Sequence, residues 1–236
     1  MARRKRYPKK NKGTADNQED VLVDVMQVSE EAGDFIERNQ SIIFGALVAL
    51  VVLVGGYLAY KNFYVQPKQQ EALEQMWVAE NQFAKDSFAV AINNPGGGNL
   101  GFAAIEKDFG VSDASNAAAY YSAVGFLNLG KFDEAILYLK DVDADGQLMP
   151  VLKNGLMGDA YSEKGEFDTA LGYYEDAADG KPNEVLTPYY LYKYAMLSEK
   201  QGNKAAANAA YKRIKNEFPN TSQGREADKY IARTNG

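Results

Sequence analysis

Cysteine and histidine are both absent from the 236 residues of the sequence. Without cysteine there is no disulfide bond, no thiol nucleophile and no lipid attachment at an N-terminal cysteine. Without histidine the commonest general base is missing, and the two absences together remove the usual ligands of a zinc site. Carboxylates such as Asp159, Glu163 and Glu166 fall where solvated helix ends are expected, and no pairing of catalytic type stands out. The sequence therefore predicts a protein that is not an enzyme, with no cofactor and no metal.

Acidic residues are absent from residues 1–12, which carry seven Lys or Arg. The whole chain has a formal net charge of −6, and residues 62–236 contain 17 basic and 24 acidic residues, a net of −7. A basic block can bind nucleic acid or anionic lipid. A short basic tail ahead of a membrane anchor is typical of a topology determinant, so we expect anionic lipid and no nucleic acid as its partner.

Charged residues are also absent from Ile42 to Tyr60, a run of 19 residues. As a helix this run is about 28 Å long, close to the ~30 Å hydrocarbon core of a bilayer. A helix buried in a soluble protein is rarely apolar on every face for five turns. A cleaved signal sequence has a shorter apolar region followed by a cleavage site with small residues. We therefore expect a retained transmembrane anchor over residues 41–61.

The flanks of the anchor predict its orientation. Lys and Arg collect on the cytoplasmic side of a membrane, and the basic block and Arg38 both precede the anchor. We therefore expect residues 1–40 to be a cytoplasmic basic tail, in which residues 21–37 are either an amphipathic juxtamembrane helix or a partly ordered segment. Residues 62–236 are expected on the other side, as the periplasmic domain of a single-pass protein of the bacterial inner membrane.

Small residues lie at several positions of the anchor, namely Gly45, Ala49 and Gly56. Small side chains allow transmembrane helices to pack closely, so these positions are candidates for contact with membrane partners. The alternative is that Gly and Ala are simply common in anchors.

Three stretches beyond residue 110 repeat one pattern around the glycines Gly130, Gly165 and Gly202, which are 35 and 37 residues apart. Small residues precede each glycine by seven positions and follow it by five: Ala123, Gly158, Ala195, and then Ala135, Ala170, Ala207. This spacing predicts helical hairpins in which small residues allow close approach and the glycine ends the first helix in a left-handed conformation. A single hairpin cannot bury its apolar face, so we expect neighbouring hairpins to stack.

Both ends of this array carry further helical patterns. Residues 62–94 are expected to form one long helix with Leu73, Met76 and Trp77 on its apolar face, and residues 66–110 a degenerate first hairpin. A last helix over residues 221–233 is expected to close the array. Ser112 and Thr221 stand in matching places, where their hydroxyls can cap the helices that follow.

The hairpin pattern resembles the tetratricopeptide repeat, and the middle copy, residues 151–184, matches it best. The matching positions are Gly158, Tyr161, Gly165, Phe167, Ala170, Tyr174, Ala177 and Pro182. The resemblance implies an all-α fold, with a single N-terminal transmembrane helix followed by a tetratricopeptide-repeat-like superhelix of antiparallel helix pairs.

The whole layout, with a cytoplasmic N-terminus, one anchor, a long helix and a small acidic array, resembles the YfgM family over roughly residues 35–236. This resemblance implies a membrane-anchored accessory subunit of the bacterial Sec translocon. The implied partners are the channel subunits, the periplasmic chaperone-isomerase PpiD and secreted client proteins. The alternative function is an envelope-assembly or cell-wall scaffold.

Repeat phase also predicts a groove lined by the first helix of each pair. The candidate partner-binding residues are Tyr120, Val124, Leu127, Asp159, Glu163, Tyr189, Tyr192 and Met196. Tyr and Met adapt to varied apolar shapes, so we expect an extended segment or a helix of a partner there, with a basic residue facing Asp159. The alternative is that the long helix or the C-terminal helix of the protein itself covers these residues.

Overall fold

A computed structural model of the chain describes residues 37–235. The predictions for the basic block and for the juxtamembrane segment 21–37 fall almost wholly outside the described residues. The described residues divide into two units, with the boundary between Lys61 and Asn62. Within the described residues the secondary structure is helical and contains no strand, which confirms the predicted all-α fold.

In the first unit, helix α1 spans Gln40–Tyr60 and has no buried residue. Among the described residues, one helix is long and apolar enough to cross a membrane, with mean hydropathy 2.6 over its most apolar stretch. A side chain added at Gly45 or Gly56 would meet nothing within 4 Å, so both positions lie on open surface. Apolar exposure on all sides is what a lipid-facing helix requires. Lys61–Val65 is π-helical.

The second unit contains ten further helices among the described residues. They are α2 (Gln66–Phe83), α3 (Phe88–Asn93), α4 (Phe102–Asp108), α5 (Asp113–Asn128), α6 (Phe132–Asp141), α7 (Met149–Glu163), α8 (Phe167–Asp179), α9 (Leu186–Lys200), α10 (Lys204–Glu217) and α11 (Ser222–Thr234). Helices α5 and α6, α7 and α8, and α9 and α10 form the three predicted antiparallel pairs, and each helix from α5 to α11 packs against the next.

The turns within the three pairs have the same backbone geometry. Gly130, Gly165 and Gly202 have φ values of +70°, +79° and +79°, the left-handed region that favours glycine. The N–H of the residue after each glycine donates to the carbonyl five residues earlier, at 2.8–2.9 Å in all three turns. The six small residues of the repeat pattern are all buried, as predicted.

Two glycines of α7 provide space for tyrosine rings from the neighbouring helices. A Cβ at Gly158 would lie 2.6 Å from the Tyr174 ring of α8, and a Cβ at Gly155 would lie 1.9 Å from Cζ of Tyr190 on α9. Both tyrosines are buried. The packing of α7 against its two neighbours therefore depends on the absence of a side chain at these positions.

The prediction of one helix over residues 62–94 is wrong. The chain turns between Phe83 and Phe88, where Asp86 has φ +56° and the N–H of Ser87 donates to the Gln82 carbonyl. This reversal places the Phe88 ring 5.0 Å from the Phe83 ring. The aromatic contact helps explain why residues 66–110 form three helices and not a two-helix hairpin.

The buried face of α2 also differs from the prediction. Ala72, Met76 and Ala79 are buried, whereas Leu73 is 50% and Trp77 is 68% exposed. Alanines can approach the adjacent helices more closely than leucine or tryptophan can, so the small residues take the inner face.

Polar side chains fix the ends of several helices. The Gln75 side-chain carbonyl accepts from Leu100 N at 2.9 Å, and that of Gln69 accepts from Ala114 N in the first turn of α5 at 3.1 Å. Thr221 caps α11 through a bond from Gly224 N, and Ser112 caps α5 in the same way, as predicted. These contacts satisfy N–H groups that no helix carbonyl reaches.

Candidate partner-binding groove

The first helices of the three pairs, α5, α7 and α9, line a groove of about 800 Å³. Its apolar lining includes Leu127 from α5, Leu156 from α7, and Met196 and Leu197 from α9. Met196 is 47% exposed. Helices from three successive hairpins therefore contribute apolar side chains to one surface.

The structure brings five of the eight predicted groove residues together in this lining: Val124, Leu127, Asp159, Glu163 and Met196. Their common placement follows from the repeat, because equivalent positions of successive first helices point to the same side of the array.

The remaining three predicted residues lie outside the lining. Tyr120 is half-buried, and burial followed by the neighbouring Tyr121 raises its pKa. Tyr189 is exposed next to the groove, with its ring 4.9 Å from Nζ of Lys193. Tyr192 packs its ring 5.3 Å from that of Tyr230 on α11. For Tyr192, therefore, the C-terminal helix covers the side chain.

An ion pair lies in the floor of the groove. Nζ of Lys193 is 2.6 and 2.8 Å from the two carboxylate oxygens of Asp159, and the Tyr174 hydroxyl donates to one of these oxygens at 2.7 Å. The side chains of Asp159 and Lys193 are each only 26% exposed. Burial lowers the pKa of Lys193, but the hydrogen bonds and charge of Asp159 outweigh this, so the pKa is raised and the ammonium is retained.

The ion pair corrects the predicted acidic centre. Asp159 does lie in the groove, but a lysine of the same domain already faces it, so no partner residue is needed to neutralise its charge. The repeat phase itself could have predicted this lysine. Lys193 is four residues after Tyr189 and three before Met196, which places it on the same face of α9 as both.

The remaining charges lie at the rim. Glu163 and Lys200 are the last residues of α7 and α9, and both are exposed. Nζ of Lys200 lies 4.9 Å from the centre of the Phe167 ring. No group of three acidic side chains within residues 37–235 is placed to hold a metal ion.

The model of the tetratricopeptide repeat family matches residues 189–221. This range contains most of α9, the turn at Gly202 and all of α10. The third hairpin is similar to a tetratricopeptide repeat. The match falls on the third copy and not on the middle copy, residues 151–184, which the residue pattern favoured. Comparison with curated proteins and with solved structures gave no match. Tetratricopeptide repeats are typical of modules that bind other proteins.

Proposed function

We propose that this chain is a membrane-anchored, non-catalytic interaction module that binds a segment of a partner protein in the groove between α5, α7 and α9. The observation that carries the proposal is the groove itself, to which three successive hairpins contribute apolar residues. Concave, mostly apolar surfaces with a few placed polar groups are the usual form of a binding site. The similarity of α9 and α10 to a tetratricopeptide repeat supports a protein as the ligand.

More specifically, the module serves as an accessory subunit of the Sec translocon and recruits a PpiD-like chaperone, or a secreted client, to emerging chains. The resemblance of the sequence layout to the YfgM family supports this role. In this arrangement residues 1–40 are cytoplasmic and contact anionic lipid, residues 41–61 span the inner membrane, and residues 62–236 are periplasmic. The basic block ahead of an apolar helix with no buried residue supports this orientation.

Site-specific photo-crosslinking in intact cells tests the proposal. A photo-reactive residue replaces Leu127 or Met196 in the groove. As a control, the same residue replaces Lys212, which is exposed on α10. Mass spectrometry should identify translocon channel subunits, the chaperone or secreted clients from the groove positions only. Cell-wall or outer-membrane machinery would indicate the scaffold function instead. Identical products from the groove and control positions would contradict a binding role for the groove.

A further inference from the structure

The polar groups in the floor of the groove satisfy one another. The Asp159 carboxylate receives two contacts from Lys193 and one hydroxyl hydrogen bond from Tyr174, at 2.6–2.8 Å. Lys193 also lies over the Tyr189 ring, which adds a cation–π contact. The charges of the floor thus cancel within the domain.

The other charges of the lining lie where solvent screens them. Glu163 and Lys200 are exposed at helix ends, and surface charges of this kind contribute little to affinity, whereas a charge that is desolvated without a partner is strongly unfavourable. The other side chains of the lining are mostly apolar, such as Leu127, Leu156 and Met196, with the uncharged polar residues Asn128 and Ser162 among them. A ligand that fills this space meets apolar side chains, two uncharged polar side chains and no unpaired charge.

We propose that Lys193 is a specificity-determining residue that occupies, from within the domain, the position a partner's basic side chain would otherwise take, so that the groove accepts an uncharged apolar segment. This inference rests on the proposed function and names the chemistry of its partner. A segment with a central Lys or Arg would face Lys193 as a like charge, and one with a central Asp or Glu would face Asp159. Either segment would have to break the internal pair.

The two members of the pair can be removed separately. Lys193→Met keeps an unbranched side chain of similar length and leaves the Asp159 carboxylate with Tyr174 alone. This variant should therefore prefer ligands that place a basic side chain next to Asp159. Asp159→Asn keeps the shape of the side chain and leaves Lys193 without its anion. This variant should therefore prefer ligands that place an acidic side chain next to Lys193. The double change removes both charges and should restore the original preference.

The experiment selects peptides from a phage-displayed random 16-residue library on full-length protein in lipid nanodiscs. Wild type and the double variant should enrich apolar peptides without central charges. Lys193→Met should enrich peptides with a central Lys or Arg, and Asp159→Asn peptides with a central Asp or Glu. Each selected peptide should bind the form that selected it about tenfold or more tightly than it binds the opposite single variant.

The outcomes separate this inference from the proposed function. In one outcome, all four forms select similar peptides, and Met196→Arg, which blocks the groove, abolishes the binding of each set. That result would overturn the role of Lys193 and leave the groove as a binding site. No groove-dependent peptide from any form would overturn both. Circular dichroism of each form provides the folding control. If Lys193→Met is unfolded, Lys193→Gln replaces it, and if Asp159→Asn is unfolded, Asp159→Ser replaces it. If wild type alone enriched peptides with a central basic residue, the inference would be overturned directly.

Discussion

Gly155 of α7 lies against the ring of Tyr190 of α9, so close that a Cβ at Gly155 would be 1.9 Å from Cζ of the tyrosine. Tyr190 is only 3% exposed and cannot move aside into solvent. We therefore expect Gly155→Ala to force α7 and α9 apart and to lower the free energy of unfolding by about 1–3 kcal/mol.

The matched control for this change is Gly172→Ala in α8, where an added Cβ meets nothing within 4 Å. Alanine favours a helix over glycine, so this variant should be more stable than wild type by about 0.5–1 kcal/mol. Chemical denaturation of the full chain in detergent, followed by circular dichroism, measures both. Equal effects at the two positions would contradict a close contact between Gly155 of α7 and Tyr190 of α9.

Alkaline pH should destabilise the fold. Burial, and then the charge of Asp159, raises the pKa of Tyr174 and of Tyr190 above the usual tyrosine value, and burial followed by Glu199 raises the pKa of Tyr211 to about 12. The folded chain therefore holds these protons more tightly than the unfolded chain, in which tyrosine has a pKa of about 10. The resulting stabilisation is fully present below about pH 10 and is lost as the pH rises through the folded-state values.

Tyr190→Phe provides the control for the pH dependence, because it removes one of the shifted phenols and keeps the ring. The urea midpoint of wild type should fall between about pH 8 and about pH 11.5, and that of the variant should fall less. A wild-type midpoint that stays constant over this range would contradict the prediction.

The orientation of the anchor is testable with a reporter fused after Gly236. A reporter that is active only outside the cytoplasm should be active, because the basic tail retains the N-terminus on the cytoplasmic side. Reversing the charges of Arg3, Arg4, Lys5 and Arg6 should produce a fraction of inverted molecules. Activity of a cytoplasm-specific reporter on the unaltered chain would overturn both the localisation and the proposed role at the translocon.

Helix packing at the anchor gives a further prediction. Gly45→Leu should reduce copurification of membrane partners if Gly45, Ala49 and Gly56 form a contact face, because the larger side chain blocks close approach. Val52→Leu, an apolar change at an exposed position, is the control and should have no effect. Unchanged copurification with Gly45→Leu, or with the whole span replaced by an unrelated anchor, would show that these small residues make no specific contact.

The repeat spacing in the sequence was sufficient to predict the three hairpins. A left-handed turn favours glycine, and a close helix contact requires a small residue. The residue types of Gly130 and Ala123 therefore indicate their structural roles. The same spacing brought Val124, Leu127 and Met196 to one groove. These are features in which local pattern and tertiary packing demand the same residue.

The features that escaped prediction depend on partners distant in the sequence. Nothing near Gly155 indicates that a ring 35 residues later will occupy its space. The break at Asp86 requires a left-handed conformation, which Asp adopts more often than most residues other than glycine but still only rarely. Phe83 and Phe88 come together only once the chain has turned. Repeat phase could have placed Lys193 in the groove beside Met196, but its contact with the carboxylate of Asp159, which is on another hairpin, is a feature of the folded arrangement.

Two of the five glutamines of α2 join this helix to later parts of the domain. Gln69 and Gln75 bind backbone N–H groups of Ala114 and Leu100 and are six residues apart, about 9 Å along the helix. Ala114 lies in the first turn of α5, so the Gln69 bond joins α2, the first helix of the second unit, directly to the first of the three hairpins. We therefore expect a pull on α2 to be transmitted to α5, and through α5 to the groove that it lines together with α7 and α9.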